Sequence, residues 1–419
     1  MVQHKRKVKS SHGSLIFYPR KAVRKPPEVK GLSSEILKIS QNTAYIQFQS
    51  KFFLKLYRRL GEEADNELEV VRFLNEHGFA NIPAFEGGIE YRQPKSEPMS
   101  IGLLQAYVQS ESDAWTYTLD EAGRFFERVL SRKEEAGALP VPPESLLNTD
   151  LESIPPLVRE LLGGVHLEMA QLLGRRTAEM HKILASSQEA NFSPISFTAI
   201  HQRSLFQSMR ISATRTLQSL NRLMKRLPED TQRDASAILA AEKDILSLLR
   251  KVMERKLSGT RIRIHGDYHL AQLLYTGKDF FLFGFEGGPE NTMEERKLKR
   301  SPLLDLASMM VSFYSAAHSA LNKHASMRKE DLPLLEPWEE LWFRYVSGLF
   351  LSSYLKTAGN AQFLPSDLAE IKMLLYVFLL DRAIHELGNN LDNPESISTH
   401  IKGILSLLKS TEREKASME

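Results

Sequence analysis

The sequence predicts an α+β protein of two lobes, a small β-rich lobe followed by a large helical one. Three observations predict it. A chain of 419 residues is too long for one ordinary hydrophobic core. Residues 35–108 read in the order strand, strand, helix, strand, strand. From Asp113 onward the apolar spacing is helical, broken only by short β-like pieces between residues 261 and 286.

Residues 1–32 read as a basic leader or linker, with a partial strand as the alternative. The first thirty hold nine Lys or Arg against one acid, Glu28, in a chain whose net charge is only +3. Pro19, Pro26 and Pro27 break any periodicity there. A basic arm can touch nucleic acid. This one lacks the aromatic interleaving of single-strand-binding surfaces, so a solvated leader is the preferred reading and nucleic acid is not an expected partner. The stretch has no apolar h-region and does not read as a secretory signal.

Residues 33–112 form the small lobe. Ala44–Phe48 and Phe52–Tyr57 are strands joined by a polar turn at Gln49-Ser50-Lys51. An amphipathic helix follows from Asn66 to His77 and stops at Gly78. Ala84–Tyr91 and Ser100–Val108 are two further strands. Residues 113–408 form the helical lobe, with a break at Pro228 and loops near Asp331–Pro337 and Gly359–Pro365. Residues 409–419 are polar and read as a disordered tail. There is no cysteine, which excludes disulfides, thiolate metal sites and Cys nucleophiles and is compatible with a cytoplasmic location. No apolar run reaches the length of a membrane span.

The densest chemical signal is His265-Gly266-Asp267-Tyr268-His269-Leu270-Ala271-Gln272. Phosphoryl transfer needs a carboxylate to orient an acceptor hydroxyl and take its proton, and an oxygen donor shortly after it for the magnesium that bridges ATP phosphates. Asp267 and Gln272 stand in that relation, five residues apart, the spacing of Asp and Asn in the protein-kinase catalytic loop. His265 braces the loop. An alternative is a zinc site, since His265 and His269 are four apart, but Gly266 argues against the helix such a pair needs. A second carboxylate is expected on the next strand, and Phe283-Gly284-Phe285-Glu286-Gly287-Gly288-Pro289 supplies Glu286.

At these two segments the sequence resembles maltokinases, phosphotransferases related to aminoglycoside and choline kinases. Phe285, Glu286, Gly287 and Pro289 match the family's Asp-Phe-Glu-Gly-Glu-Pro, while Gly284 replaces its metal-binding Asp and Gly288 its second Glu. Further similarity at Arg300-Ser301-Pro302-Leu303, Asp305, Phe378-Leu379-Leu380 and Phe53–Leu60 carries the resemblance over roughly residues 33–408. It implies a bilobal protein-kinase-like fold and transfer of phosphate from ATP to maltose, giving maltose 1-phosphate and ADP in trehalose and glycogen metabolism. The implied cofactors are ATP and Mg²⁺, and a trehalose synthase or glucan enzyme is an implied partner.

On this reading Asp267 is the base. Lys55 clamps the nucleotide's phosphates, steadied by Glu69, with Glu67 as the competing candidate. Asn42 and Thr43 belong to the segment standing in for a Gly-rich loop, and Gln105 and Tyr107 to the hinge beside the base. Gln272 and Glu286 hold the metal, Glu286 lying on the face that residue 284 would have used because i and i+2 of a strand point to one side. His269, Arg300 and Asp305, with the aromatic helix Trp338–Tyr354, line the sugar site. The missing carboxylate leaves a second reading: a pseudokinase that binds ATP or sugar without turnover.

Overall fold

A computed structural model describes residues 5–20, 31–39, 43–58, 63–94, 98–132, 145–288, 293–325 and 328–416. The chain forms two compact units. One takes Met1–Ala114, His265–Asp267 and Ala271–Leu298; the other takes Trp115–Ile264, Tyr268–Leu270 and Lys299–Glu419.

The first unit is built on an antiparallel sheet of strands β1 (Arg6–Lys9), β2 (Ser14–Pro19), β3 (Glu35–Ile39), β4 (Thr43–Phe48), β5 (Phe52–Tyr57), β6 (Phe85–Arg92) and β7 (Met99–Ala106). Among the described residues their order is β1-β2-β6-β7-β5-β4-β3. Alternation along β5 puts Phe52 and Leu54 on one face, packed with Leu104, Ile46 and Phe48. It puts Lys55 and Tyr57 on the other face. Helix α1 (Glu63–Glu76) connects β5 to β6 and buries Leu68, Val70, Val71, Phe73 and Leu74. It ends in a Schellman motif: Phe79 N–H donates to the Leu74 carbonyl (2.9 Å) and Gly78 N–H to that of Asn75 (3.2 Å), with Gly78 at φ +80°.

Of the two readings of the N-terminal segment, residues 6–19 take the strand. Residues 6–19 form the β1–β2 hairpin, and β2 pairs with β6 from Ser14↔Arg92 to Pro19↔Gly87. The run Leu15-Ile16-Phe17-Tyr18 has strand-favouring side chains that the flanking charges hide, and Ile16 is buried. β1 is exposed along its whole length, so its basic residues remain in water while its backbone is paired.

A small sheet completes this unit. Strand Leu273–Tyr275 pairs with Phe280–Leu282 on one side and Ser112–Asp113 on the other. Its hairpin turns at Gly277 (φ +82°), where Thr276 N–H donates to the Asp279 carbonyl at 3.0 Å. Because Leu273 pairs with Leu282, the residue before the hairpin, Gln272, lies beside the residues after it, Phe283 and Gly284.

The second unit is helical: α2 (Ala114–Ser131), α3 (Pro156–Leu162), α4 (Gly164–Leu184), α5 (Ala199–Leu223), α6 (Glu229–Ala240), α7 (Glu242–Arg250), α8 (Leu303–Ala325), α9 (Leu332–Ala358), α10 (Leu368–Asn389) and α11 (Pro394–Ala416). Its core runs along α4 and α9. Gly174 allows their close approach, since a Cβ there would stand 2.1 Å from the Phe350 carbonyl oxygen. The break expected at Pro228 is the start of α6. Two other expectations are corrected. The loop at Asp331–Pro337 is already helix from Leu332, with Pro333 in its first turn, where no donor is lost, and Pro337 inside it, where one is. The tail is helical as far as Ala416.

Candidate active site

Lys55 sits mid-strand in β5, opposite Tyr45 on β4 and Leu103 on β7. It is 5% exposed. Its Nζ lies 2.7 Å from Glu67 Oε2 and 2.7 Å from Glu286 Oε1. Tyr57, two residues along the same face, donates its hydroxyl to Glu67. Burial alone would lower the lysine's pKa, but Glu67 and Glu286 more than offset it and raise it, so the ammonium is fixed. Two carboxylates on one cation leave surplus negative charge, and Glu67 absorbs it. Burial and the charge of Glu286 push its pKa up to about 7 in spite of Lys55. Burial works on Glu286 too, yet the charge and hydrogen bond of Lys55 prevail and hold it below the ordinary carboxylate range.

This pairing corrects the expected partner of Lys55. Glu69 is half-buried, and the lysine's ion pairs go to Glu67 and Glu286. Two residues along a helix turn the side chain through about 200°, so only one of the two glutamates on α1 faces β5.

The loop around Asp267 is held by its neighbours. His265 Nε2–H donates to the Phe283 carbonyl at 2.9 Å, which sets the tautomer, and its Nδ1 accepts from the Asp267 N–H at 3.4 Å. The imidazole packs on Phe285 with ring centroids 4.5 Å apart. The Phe285 carbonyl accepts from Asn66 Nδ2 of α1 at 2.8 Å. Gly266 takes φ +84° to make this turn. Sequence reasoning missed Asn66 and Tyr57, although both flank Glu67 or Lys55 in strongly patterned elements.

Gln272 Nε2 donates to Asp267 Oδ2 at 3.3 Å. Gly284 has φ +79°, and a Cβ built on it would lie 2.1 Å from Gln272 Oε1 and 2.7 Å from its Cδ. The glutamine amide thus fills the space that a side chain at 284 would use. The result is one contact sequence within a single unit: Lys55 to Glu286, along the backbone to Gly284, then Gln272, then Asp267.

A magnesium ion asks for several hard oxygen donors around one point. Glu286 Oε1 is engaged by Lys55, its Oε2 is buried without a hydrogen-bond partner among the described residues, and the Gln272 amide is turned toward Gly284. Among the described residues no three His, Asp or Glu side chains converge to hold a metal. A nucleotide's magnesium needs only one or two protein carboxylates beside the phosphates and water, and for Glu286 to be one of them its oxygen would have to leave Lys55.

The remaining expected residues are dispersed. Thr43 is buried at the start of β4, opposite Tyr57; Asn42 lies outside the described residues. Gln105 is buried and donates to the Pro83 carbonyl at 3.1 Å, and Tyr107 N–H donates to that of Lys51 at 2.9 Å. His269, Arg300 and Asp305 belong to the helical unit. The Arg300 backbone pairs with Ile262. Asp305 is 1% exposed and accepts from His181 Nε2 at 3.0 Å, while His181 Nδ1 is 2.9 Å from the Tyr354 hydroxyl. A carboxylate enclosed in this way does not meet a sugar, so its placement in the acceptor site is corrected to the interior of the helical unit. Trp338, Trp342 and Tyr354 are likewise core.

No family model matches the chain. Solved structures of glucosamine kinase are similar to it. One crystal form aligns with TM-score 0.67 at 16% identity, covering 95% of this chain and 81% of that one. The complex with glucosamine, ADP and inorganic phosphate aligns with TM-score 0.66 at 18% identity, covering 93% and 84%. This is the kinase-like α+β fold. The likeness is one of fold and does not single out maltokinases. In the kinase-like fold of this chain, the segment from Phe283 to Glu286 carries glycine at 284 and brings Glu286 onto Lys55.

Proposed function

We propose that the chain is an ATP-dependent phosphotransferase acting on a sugar hydroxyl, with maltose as acceptor and maltose 1-phosphate as product, as its sequence resemblance implies. The observation that carries the proposal is the contact sequence from Lys55 through Glu286, Gly284 and Gln272 to Asp267. Lys55, held protonated, meets the phosphates of the nucleotide when Glu286 gives up its oxygen. Asp267, oriented by Gln272 and by the His265 brace, accepts the proton of the attacking hydroxyl. The solved complex of glucosamine kinase with glucosamine and ADP supports a sugar and a nucleotide as the ligand pair. A trehalose synthase or glucan enzyme as partner follows from the same resemblance, and a cytoplasmic setting is compatible with the absence of cysteine. No helix among the described residues is long and apolar enough to cross a membrane.

A second reading, a binding protein without turnover, is favoured by one specific observation: Gly284 removes a carboxylate while Glu286 occupies the lysine. A coupled assay with ATP, Mg²⁺ and either maltose or glucosamine separates the two. Turnover that falls about 10²–10⁴-fold in Asp267→Asn supports the enzyme; turnover unchanged in that variant refutes it. Nucleotide binding that tightens in Glu286→Gln, with no product under any condition, supports the second reading.

A further inference from the structure

The sheet unit contains a groove that the proposed reaction does not use. It has a volume of about 700 Å³, within the range of small-molecule sites, and its lining includes Lys5, Tyr18, Arg20, Arg72, Glu90 and Arg92. Its cations come from four places in the chain: just before β1, just after β2, the outer face of α1, and the end of β6. Folding of the N-terminal hairpin onto β6 is what gathers them. The basic character of the first residues thus has a destination.

The ion pairs available to these cations are loose where they face the groove. Arg20 lies 3.9 Å from Glu86 and Arg72 lies 3.9 Å from Glu76, both at the outer limit of an ion pair, whereas Arg92 is held by Glu90 at 2.9 Å. The lining carries four cations against two acids, Glu76 and Glu90. The floor is apolar, made by Ile16 and Phe85. Across it stands Tyr18, with the Arg72 guanidinium 5.7 Å from its ring centroid. The Tyr18 hydroxyl is buried at the charged wall of the groove, where Arg72 and Glu90 act on it.

We propose that this groove binds a small phosphomonoester carrying hydroxyl groups, of the sugar phosphate class. The dianion suits Arg20, Arg72 and Lys5, since guanidinium groups take phosphate oxygens in pairs. A ring with apolar faces and hydroxyls suits the floor and the Tyr18 hydroxyl. The interleaved Glu76 and Glu90 work against a long polyanion laid across the same surface, which separates the ligand from nucleic acid. Occupancy would bear on α1, the helix that carries Arg72 together with Asn66 and Glu67.

The test is calorimetric titration of the full chain with glucose 1-phosphate and glucose 6-phosphate. Inorganic phosphate, glucose and a single-stranded oligonucleotide are run in parallel. The expected result is sub-millimolar binding of a sugar phosphate that weakens about tenfold or more in Arg72→Gln and in Arg20→Gln and about threefold or more in Tyr18→Phe, and that is retained in Lys55→Ala. Retention in Lys55→Ala keeps the groove distinct from the nucleotide site, so failure of the phosphotransferase reading leaves this result standing. Arg72→Lys, which keeps the charge, should recover part of the affinity and rule out a folding defect. No heat up to 10 mM ligand overturns the proposal. So does binding lost in Lys55→Ala but not in Arg72→Gln, or binding of the oligonucleotide in preference to the sugar phosphates.

Discussion

Restoring an aspartate at position 284 is the obvious repair for a kinase-like site, and the structure says it will not act alone. Gly284 sits at φ +79°, where a residue with a Cβ loses roughly 1–2 kcal/mol, aspartate being at the lower end. The added Cβ would also fall 2.1 Å from Gln272 Oε1. Because the obstructing atoms are the far end of a flexible side chain, the glutamine swings away, and its hydrogen bond to Asp267 is lost with it, about 0.5–1.5 kcal/mol more. Gly284→Asp should therefore destabilise the protein by about 2 kcal/mol. At roughly 2–4 °C per kcal/mol for domains of comparable size, Tm should fall by several degrees. Gln272→Ser loses the same hydrogen bond to Asp267, so adding it to Gly284→Asp should cost little more, and the double variant should be about as stable as Gly284→Asp alone. Differential scanning fluorimetry on the wild type, both single variants and the double variant measures this, and the coupling between the two sites is the readout. An unchanged Tm in Gly284→Asp, or strictly additive effects, would refute the proposed competition for space.

Two other consequences concern buried carboxylates. Glu67 keeps its proton to a higher pH when folded than the ordinary 4.5. Its contribution to stability is therefore complete below about pH 4.5 and is lost as pH rises through about 7. Relative to Glu67→Gln, the wild type should lose stability across that window in urea titrations; parallel curves would contradict the surplus-charge account of Lys55, Glu67 and Glu286. Asp305→Ala leaves His181 buried without its acceptor and should cost about 1–3 kcal/mol. It should lower Tm well before it changes any acceptor KM, and an intact Tm with a raised KM would return Asp305 to a substrate role.

Much of this was legible in the sequence because it depended on local chemistry. Strands β4 and β5 with their turn, the helix ending at Gly78 and the strand Phe280–Leu282 that follows His265–Gln272 all announce themselves by period and punctuation. What was not legible depended on orientation or on partners far away in sequence. Glu67 and Glu69 differ by one step of helical phase, and only the position of Lys55 distinguishes them. The strand character of residues 14–19 is masked by flanking lysines and becomes decisive only when β6 is there to pair. Asp305 looks like a functional acid in isolation; His181, more than a hundred positions earlier, is what encloses it. The obstruction between Gly284 and Gln272 needs the register of Leu273 on Leu282, which no single segment encodes.

The stretch from His265 to Ala271 changes allegiance twice: three residues belong with the sheet, the next three with the helices, and the chain then returns. Neither half of the molecule can accordingly be excised as an uninterrupted gene fragment. A polypeptide ending before residue 265 would deprive the sheet of the hairpin that braces Asn81 and Asn66, and one beginning there would strip the helices of α2 to α7. Dissection of this protein requires split or permuted chains, with new termini placed at the exposed Lys278 turn and not in the loop that stitches the halves together.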